Sequence, residues 1–270
     1  MKYLSSNKNP EIKRLRLLIQ KSRARKNQGL FVIEGEREIK KALQGNYQLQ
    51  SVFIKQGSEQ DFSELIKKDN DSSHFEVSTG LFEQISIRSG SEEILAIAHA
   101  KPHLIDDLKI KSDALILVIE APEKPGNIGA LYRTAAAAKF DAVIIANPKT
   151  DFYNPNSIRS SLGCLFLLPT ALASSEEVIR YLNHHEVLIA AAALEPTALP
   201  YDNFKYATPC ALVLGTESTG LNKQWITAAH HQLIIPMGSD VDSLNLSVSA
   251  GILMYEARRN KIAYNQHRNL

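Results

Sequence analysis

Hydrophobic positions along the chain fall into two patterns. Up to about residue 100, short apolar runs alternate with amphipathic stretches. "GLFVIEG", "LQSVFIK", "HFEVS" and "ILAIAHA" have the length and the β-branched or aromatic content of strands, while "EREIKKAL", "SEQDFSELIKK" and "GLFEQIS" between them carry helical spacing. Together they predict a small α/β layer structure. Further on the apolar runs become near-continuous: "ALILVIEA", "DAVIIAN", "CLFLLP", "EVLIAAAAL", "CALVLG" and "HQLIIPM". That is the pattern of parallel strands buried on both faces. The polar connector "KPHLIDDLKIKSDA", residues 101–114, separates the two patterns and predicts two domains, residues 1–105 and 106–270.

Composition narrows the class without naming a function. A chain of 270 residues with 44% hydrophobic content can bury a sizeable core. Two cysteines, Cys164 and Cys210, exclude a disulfide framework and a cysteine-based zinc site, and suit a reducing cytoplasm. The pairs His184/His185 and His230/His231 lack the spaced partners of a ligand cluster, so no metal is expected. No leading signal peptide is read, and no apolar run approaches the roughly 20 residues that cross a bilayer.

Charge is more informative in its placement than in its total. The net charge is +2, yet residues 2–26 hold nine Lys and Arg against the single acid Glu11, a local +8 that leaves −6 for the rest. A positive potential concentrated at one end attracts a polyanion, and Lys13, Arg14, Arg16, Arg23 and Arg25 are the candidate nucleic-acid contacts.

The candidate chemistry sits in three stretches of the second half. In the first, "EKPGNIGALYRTAAAAKF", a glycine turn joins a strand to an alanine-rich helix. Gly126 and Gly129 match neither G-x-G-x-x-G nor the G-x-x-x-x-G-K-[ST] phosphate loop, which demotes a classical nucleotide fold. Asn127 is the expected helix N-cap. Ile128, Leu131, Ala135 and Ala138 form an apolar stripe, and Arg133 points away from it among Gly129, Ala130, Ala136 and Ala137, a face where another backbone can approach. In the second stretch, "LVLGTESTGL", Gly215 and Gly220 flank Glu217 after a buried strand. The third, "LIIPMGSDVDSLNLSVSAGILMYEA", passes from strand through a polar loop into a helix expected to begin near Ser243, with Asp242 or Ser243 as N-cap. There Leu244, Val248, Gly251, Ile252 and Tyr255 keep helical spacing and Asn245 is polar in the first turn.

Taken in order, "NIGALYRTA", "LVLGTESTGL" and "IIPMGSDVDSLNLSVSAGILMYEA" resemble the three motifs of the SpoU (TrmH-type) RNA ribose methyltransferases of the SPOUT superfamily. The N-terminal stretch "SSNKNPEIKRLRLL…GLFVIEGEREIKKAL" resembles the ribosomal-protein-like RNA-binding domain often fused to them. The chain departs from the pattern at Ser239, where many relatives have glycine, and at Ser218. The resemblance implies an α/β SPOUT-type parallel sheet with a C-terminal trefoil knot, preceded by a small α/β RNA-binding domain, in a cytoplasmic homodimer that binds S-adenosylmethionine. Carried over by position, Gly215, Ile235 and Leu244 line the cofactor site, and Asn127, Arg133, Glu217, Ser243 and Asn245 surround the transferred methyl and the RNA. A partner subunit is then expected against the small face around Arg133.

The implied reaction is attack of a ribose 2′-hydroxyl on a sulfonium methyl. A guanidinium with a pKa of about 12.5 to 13.8 is a poor base, so Arg133 is read as a fixed cation that stabilises the developing alkoxide. Glu217 either positions Arg133 or caps the following helix. Ribosomal RNA is the preferred substrate over transfer RNA because of the separate N-terminal domain. The alternatives are a base methyltransferase of the same superfamily and an RNA-binding protein without catalysis.

Overall fold

The computed structural model describes residues 1–68, 72–87, 92–216 and 219–268. It divides into two compact units, Met1–Pro102 with Asp151–Leu167, and His103–Thr150 with Leu168–Leu270.

The first unit is built on a mixed five-stranded sheet. Its elements run β1 (Lys2–Leu4), α1 (Pro10–Gln20), α2 (Ser22–Gln28), β2 (Leu30–Glu34), α3 (Glu36–Gln44), β3 (Leu49–Lys55), α4 (Ser63–Lys68), β4 (Ser73–Val77), α5 (Thr79–Ile85) and β5 (Ile94–His99). The sheet order is β1-β4-β3-β5-β2, with β5 antiparallel to both β2 and β3. Helix α1 starts where Asn9 accepts from the Glu11 amide and Pro10 occupies the first turn. It buries Ile12, Leu15 and Leu18 in a core shared with Phe53, Phe75 and Phe82.

The second unit carries a seven-stranded sheet whose pairings are all parallel. Strand β6 (Leu115–Glu120) leads into α6 (Pro125–Ala137) and β7 (Ala142–Ala146). The chain then returns to the first unit with α7 (Pro155–Ser160) and a 3₁₀ turn over Cys164–Phe166 before β8 (Thr170–Ala173). "CLFLLP" is therefore a turn and not the expected strand. Its Phe166 and the nearby Tyr153 stack on Phe31, with ring centroids 5.8 and 4.1 Å away, so burial in an aromatic core replaces pairing in a sheet. The remaining elements are α8 (Ser175–His184), β9 (Leu188–Ala192), β10 (Leu199–Pro200), β11 (Cys210–Leu214), α9 (Lys223–Ala228), β12 (His231–Ile234) and α10 (Leu246–Arg268), and the strand order is β10-β12-β9-β11-β6-β7-β8.

The near-continuous apolar runs follow from burial on both faces. Ile116, Val118, Ile144, Ile189 and Val213 pack with Val178 and Leu182 of α8 and Trp225 of α9. The alternate residues Leu117, Ile119, Val143, Ile145 and Leu212 are also buried, on the side where α10 meets β11 and α6. No helix among the described residues is long and apolar enough to cross a membrane.

Candidate functional site

A cavity of about 400 Å³ opens at the carboxyl ends of β9, β11 and β12. Four chain segments and Ile226 of α9 form it. After β9 come Ala193, Leu194 and Glu195, after β11 the loop with Gly215, Thr216, Thr219 and Gly220, after β12 Ile235 and Met237, and before and within α10 Ser243, Leu244, Leu246 and Ser249. The three residues expected to line a cofactor site, Gly215, Ile235 and Leu244, thus share one cavity, together with Ser243. Ile235 and Leu244 are half-buried, as cavity-lining side chains are.

The loop after β11 shows why it needs its glycines. Thr216 and Gly220 exchange backbone hydrogen bonds of 3.2 and 3.0 Å, closing the loop on itself. A Cβ at Gly215 would lie 2.1 Å from the Gly220 carbonyl carbon, an approach no side chain can make, and Gly220 has φ +64°. The Thr216 and Thr219 hydroxyls pair at 2.7 Å across the closed loop. Glu217 and Ser218 lie outside the described residues.

At both helix starts the structure moves the expected cap. Helix α6 begins at Pro125 with Lys124 preceding it, so Asn127 stands inside the first turn and is not the N-cap. A proline with preset φ suits that first position, where no intrahelical donor is needed. Helix α10 begins at Leu246, and neither Asp242 nor Ser243 caps it: Asn245 accepts from the Ser247 amide at 2.9 Å and from its hydroxyl at 2.6 Å. Its buried residues Leu246, Ala250, Leu253, Met254 and Ala257 are offset from the expected stripe, and Val248 and Tyr255 are 49% and 52% exposed.

Arg133 is exposed on α6, as its angular position predicts, while Ile128, Leu131, Ala135 and Ala138 are buried. It makes no hydrogen bond or ion pair among the described residues. Of the small residues near it, Gly129 is buried, Ala130 and Ala136 are half-buried and Ala137 is exposed. Helix α10 of the same chain packs on α6, with the Cβ position of Gly251 3.9 Å from the Thr134 methyl and Arg258 donating to the Ala137 carbonyl at 3.1 Å. An intrachain helix therefore takes up part of the approach that the small residues allow. Asn127, Arg133 and Asn245 do not line the cavity: Asn127 and Arg133 are on α6, and Asn245 directly precedes α10.

A buried carboxylate that sequence reading missed organises the same end of the sheet. Glu120, the last residue of β6, is 5% exposed and accepts from Trp225 Nε1 at 2.7 Å, Asn147 Nδ2 at 3.1 Å, Asn222 Nδ2 at 3.3 Å and the Ser175 hydroxyl. Asn222 is in turn the N-cap of α9, directly after the cavity loop. These four donors satisfy a carboxylate that has no cationic partner among the described residues. An acidic residue ending an apolar run was the available signal. The segment 193–195 was also missed, because the apolar run "EVLIAAAAL" carries the expected strand on to Leu194 and no glycine turn marks where β9 ends.

The basic N-terminal residues separate into two groups. Lys13 and Arg23 are exposed, and Arg14 and Arg16 are half-buried with side-chain bonds to Gln28 and Gln84. Arg25 corrects the expectation of an RNA contact. It is 4% exposed, pairs with Asp151 at 2.5 Å, and donates to the Leu18 and Ile19 carbonyls at 2.6 and 3.1 Å, closing the C-terminus of α1. Among the described residues no group of three or more His, Cys, Asp or Glu side chains is placed to hold a metal ion.

A parallel sheet covered on both faces, with a cavity outside the carboxyl ends of its strands, is the arrangement of α/β proteins that bind small organic ligands. Residues 114–255 match the SpoU rRNA methylase family and residues 9–96 an MRM3-like substrate binding domain. The chain belongs to the SpoU rRNA methylase family and is an RNA methyltransferase. It is 27% identical to the 23S rRNA (guanosine(2553)-2′-O)-methyltransferase RlmP of Bacillus subtilis, over 96% of this chain and all of that one. Among solved structures it resembles an RNA 2′-O ribose methyltransferase (36% identity, TM-score 0.82, 96% and 99% of the two chains). It also resembles an AdoMet-bound rRNA methyltransferase from Sinorhizobium meliloti (26% identity, TM-score 0.89, 96% and 97%).

Proposed function

We propose that the protein is an S-adenosylmethionine-dependent 2′-O-ribose methyltransferase acting on ribosomal RNA in the cytoplasm. The observation that carries this reading is the cavity that gathers Gly215, Ile235, Leu244 and Ser243 at the carboxyl end of the sheet. Its residues fit the cofactor. The volume lies in the range of about 300 to 1,000 Å³ typical of small-molecule sites, apolar side chains such as Leu214, Ile226 and Leu233 suit a flat base, and the closed glycine loop brings backbone to the surface where polar groups need partners. When bound there, S-adenosylmethionine supplies an electrophilic sulfonium methyl.

The work left to the chain is positioning and charge. Arg133, exposed and held by no acidic partner among the described residues, has a guanidinium fork available for the ribose and its neighbouring phosphate. Its fixed charge stabilises oxyanion character at the 2′-oxygen while the hydroxyl proton leaves to phosphate or water. Asn127 in the first turn of α6 and Asn245 at the start of α10 place side-chain amides around the same nucleotide, and Ser243 links that polar group to the cavity wall. Glu217 keeps the two roles the sequence allows, positioning Arg133 or capping α9. The cap reading loses support from Asn222, which already accepts from the Trp225 amide at 3.1 Å.

Binding of the RNA is assigned to the first unit and methyl transfer to the second. The exposed Lys13 and Arg23 and the half-buried Arg14 and Arg16 support the first assignment. A homodimer is supported by Val248, Tyr255 and Ile262, 46% to 52% exposed and spaced seven residues apart along α10, a stripe that solvent does not favour. Static light scattering should give a dimer mass for the protein and a monomer mass for Val248→Glu with Tyr255→Glu. The threaded C-terminal knot of the SPOUT resemblance is part of the same proposal, and the return of α10 onto α6 is in keeping with it.

Nucleoside mass spectrometry of ribosomal RNA treated with the enzyme and S-adenosylmethionine tests the reaction. A 2′-O-methyl nucleoside is expected, and a methylated base or no product would overturn the reading.

A further inference from the structure

Of the side chains that line the cavity among the described residues, Glu195 is the one ionisable group. The others are aliphatic, a methionine, or the hydroxyls of Thr216, Thr219, Ser243 and Ser249, of which Thr216 and Thr219 bond each other. Glu195 stands in the segment after β9, belongs to none of the three motifs, makes no ion pair among the described residues and is exposed at the cavity rim.

Among the described residues a single carboxylate stands over this mostly apolar cavity, and it gives that rim a negative sign. This matters because the two ligands that a methyltransferase must tell apart differ by one charge. S-adenosylmethionine carries sulfonium, ammonium and carboxylate, net +1. S-adenosylhomocysteine has lost the sulfonium charge with the methyl group and is net neutral. Shape separates the two poorly, since they differ by one methyl on sulfur. An anion at the cavity rim separates them by field, and apolar walls preserve that field better than open water does.

Resting on the S-adenosylmethionine reading of the cavity, we infer that Glu195 is a specificity-determining residue. Its carboxylate favours the cationic methyl donor over the neutral product, and so assists exchange of spent for fresh cofactor after each turnover. Glu195 transfers no proton in this role and touches no RNA.

Calorimetric titration of the full-length protein and of Glu195→Gln with each of the two ligands, in low salt and in high salt, tests the inference. Glutamine keeps the shape and removes the charge, and at an exposed position it leaves the fold intact. The variant should lose S-adenosylmethionine affinity by about 3- to 10-fold, the range for a partly solvated charge pair, while S-adenosylhomocysteine affinity changes less than about two-fold. The difference should shrink in high salt. Glu195→Asp should keep most of the preference. Equal losses for the two ligands, or no loss, would overturn the role of Glu195 and leave the cofactor reading standing. Failure of the unaltered protein to bind either ligand would overturn both.

Discussion

Arg25 in the first unit and Arg133 in the second are the same side chain in opposite surroundings. Arg25 is sealed between the end of α1 and the returning segment, its guanidinium consumed by Asp151 and two carbonyls. Arg133 is exposed on α6 with no partner among the described residues. A buried guanidinium must be fully paired or it destabilises the fold, whereas one held at the surface by a rigid helix keeps its donors available for a ligand. Density of charge along a chain therefore does not identify binding residues; the accessibility of each charge does.

The largest effect should come from removing the buried arginine. Arg25→Ala strands Asp151 and two helix-terminal carbonyls and should cost about 3 to 5 kcal/mol of stability. A chemical denaturation midpoint checks it. RNA affinity measured per folded molecule should stay level, and a selective loss of RNA binding with stability intact would restore Arg25 to the binding surface.

Arg133→Ala should leave the denaturation midpoint nearly unchanged and slow single-turnover methyl transfer by about 10² to 10³, the loss typical when one preorganised charge-stabilising group is removed. S-adenosylmethionine affinity should stay within a few-fold. Arg133→Lys should recover little, because a point charge lacks the planar fork. Near-normal turnover in Arg133→Ala would make it an ordinary surface arginine.

Neutralising Lys13, Arg14, Arg16 and Arg23 together should weaken RNA binding and flatten its dependence on salt. For each phosphate that the protein no longer neutralises, the log–log slope should fall by about 0.7 to 0.9. Filter binding across a salt series measures this, and an unchanged slope would remove α1 and α2 from the RNA surface.

The two cysteines repeat the contrast at smaller scale. Burial pushes the Cys210 thiol up to about 12, so near pH 8 it holds its proton in the folded protein, while Cys164 is half-buried beside the Lys41 ammonium at 3.3 Å. Alkylation at about pH 8, followed by peptide mass mapping, should modify Cys164 well before Cys210. The sign follows for stability as well. A raised folded-state value means that the folded form holds the proton more tightly, so the contribution of Cys210 is fully present below its ordinary value of 9 and declines as pH rises from there toward about 12.

Much of the fold is legible in the sequence. Strand β3 matches "LQSVFIK" residue for residue, and the apolar runs of β6, β7, β9, β11 and β12 stand where burial on both faces requires them. The stripe on α6 and the outward Arg133 follow from helical geometry alone, because within one helix angular position is set by residue number. The helix starts lie a few residues from the expected ones, since Asp, Ser and Asn all satisfy the same first-turn donors and only local backbone geometry chooses among them.

The order of residues dictates what is local and periodic: two α/β halves, the strands of a parallel sheet, the three motifs that place the chain in its family, and a basic N-terminus. Tertiary structure chose which distant residues meet. That Phe166 and Tyr153 leave a run of α/β units to complete an aromatic core on Phe31, that Asp151 neutralises Arg25, that Glu120 ties the ends of four segments, and that Glu195 shares a cavity with Gly215, Ile235 and Leu244 are relations across large sequence separation. No periodicity encodes them, because a side chain's partners, and with them its charge state and its use, are chosen by packing and desolvation after the chain has closed.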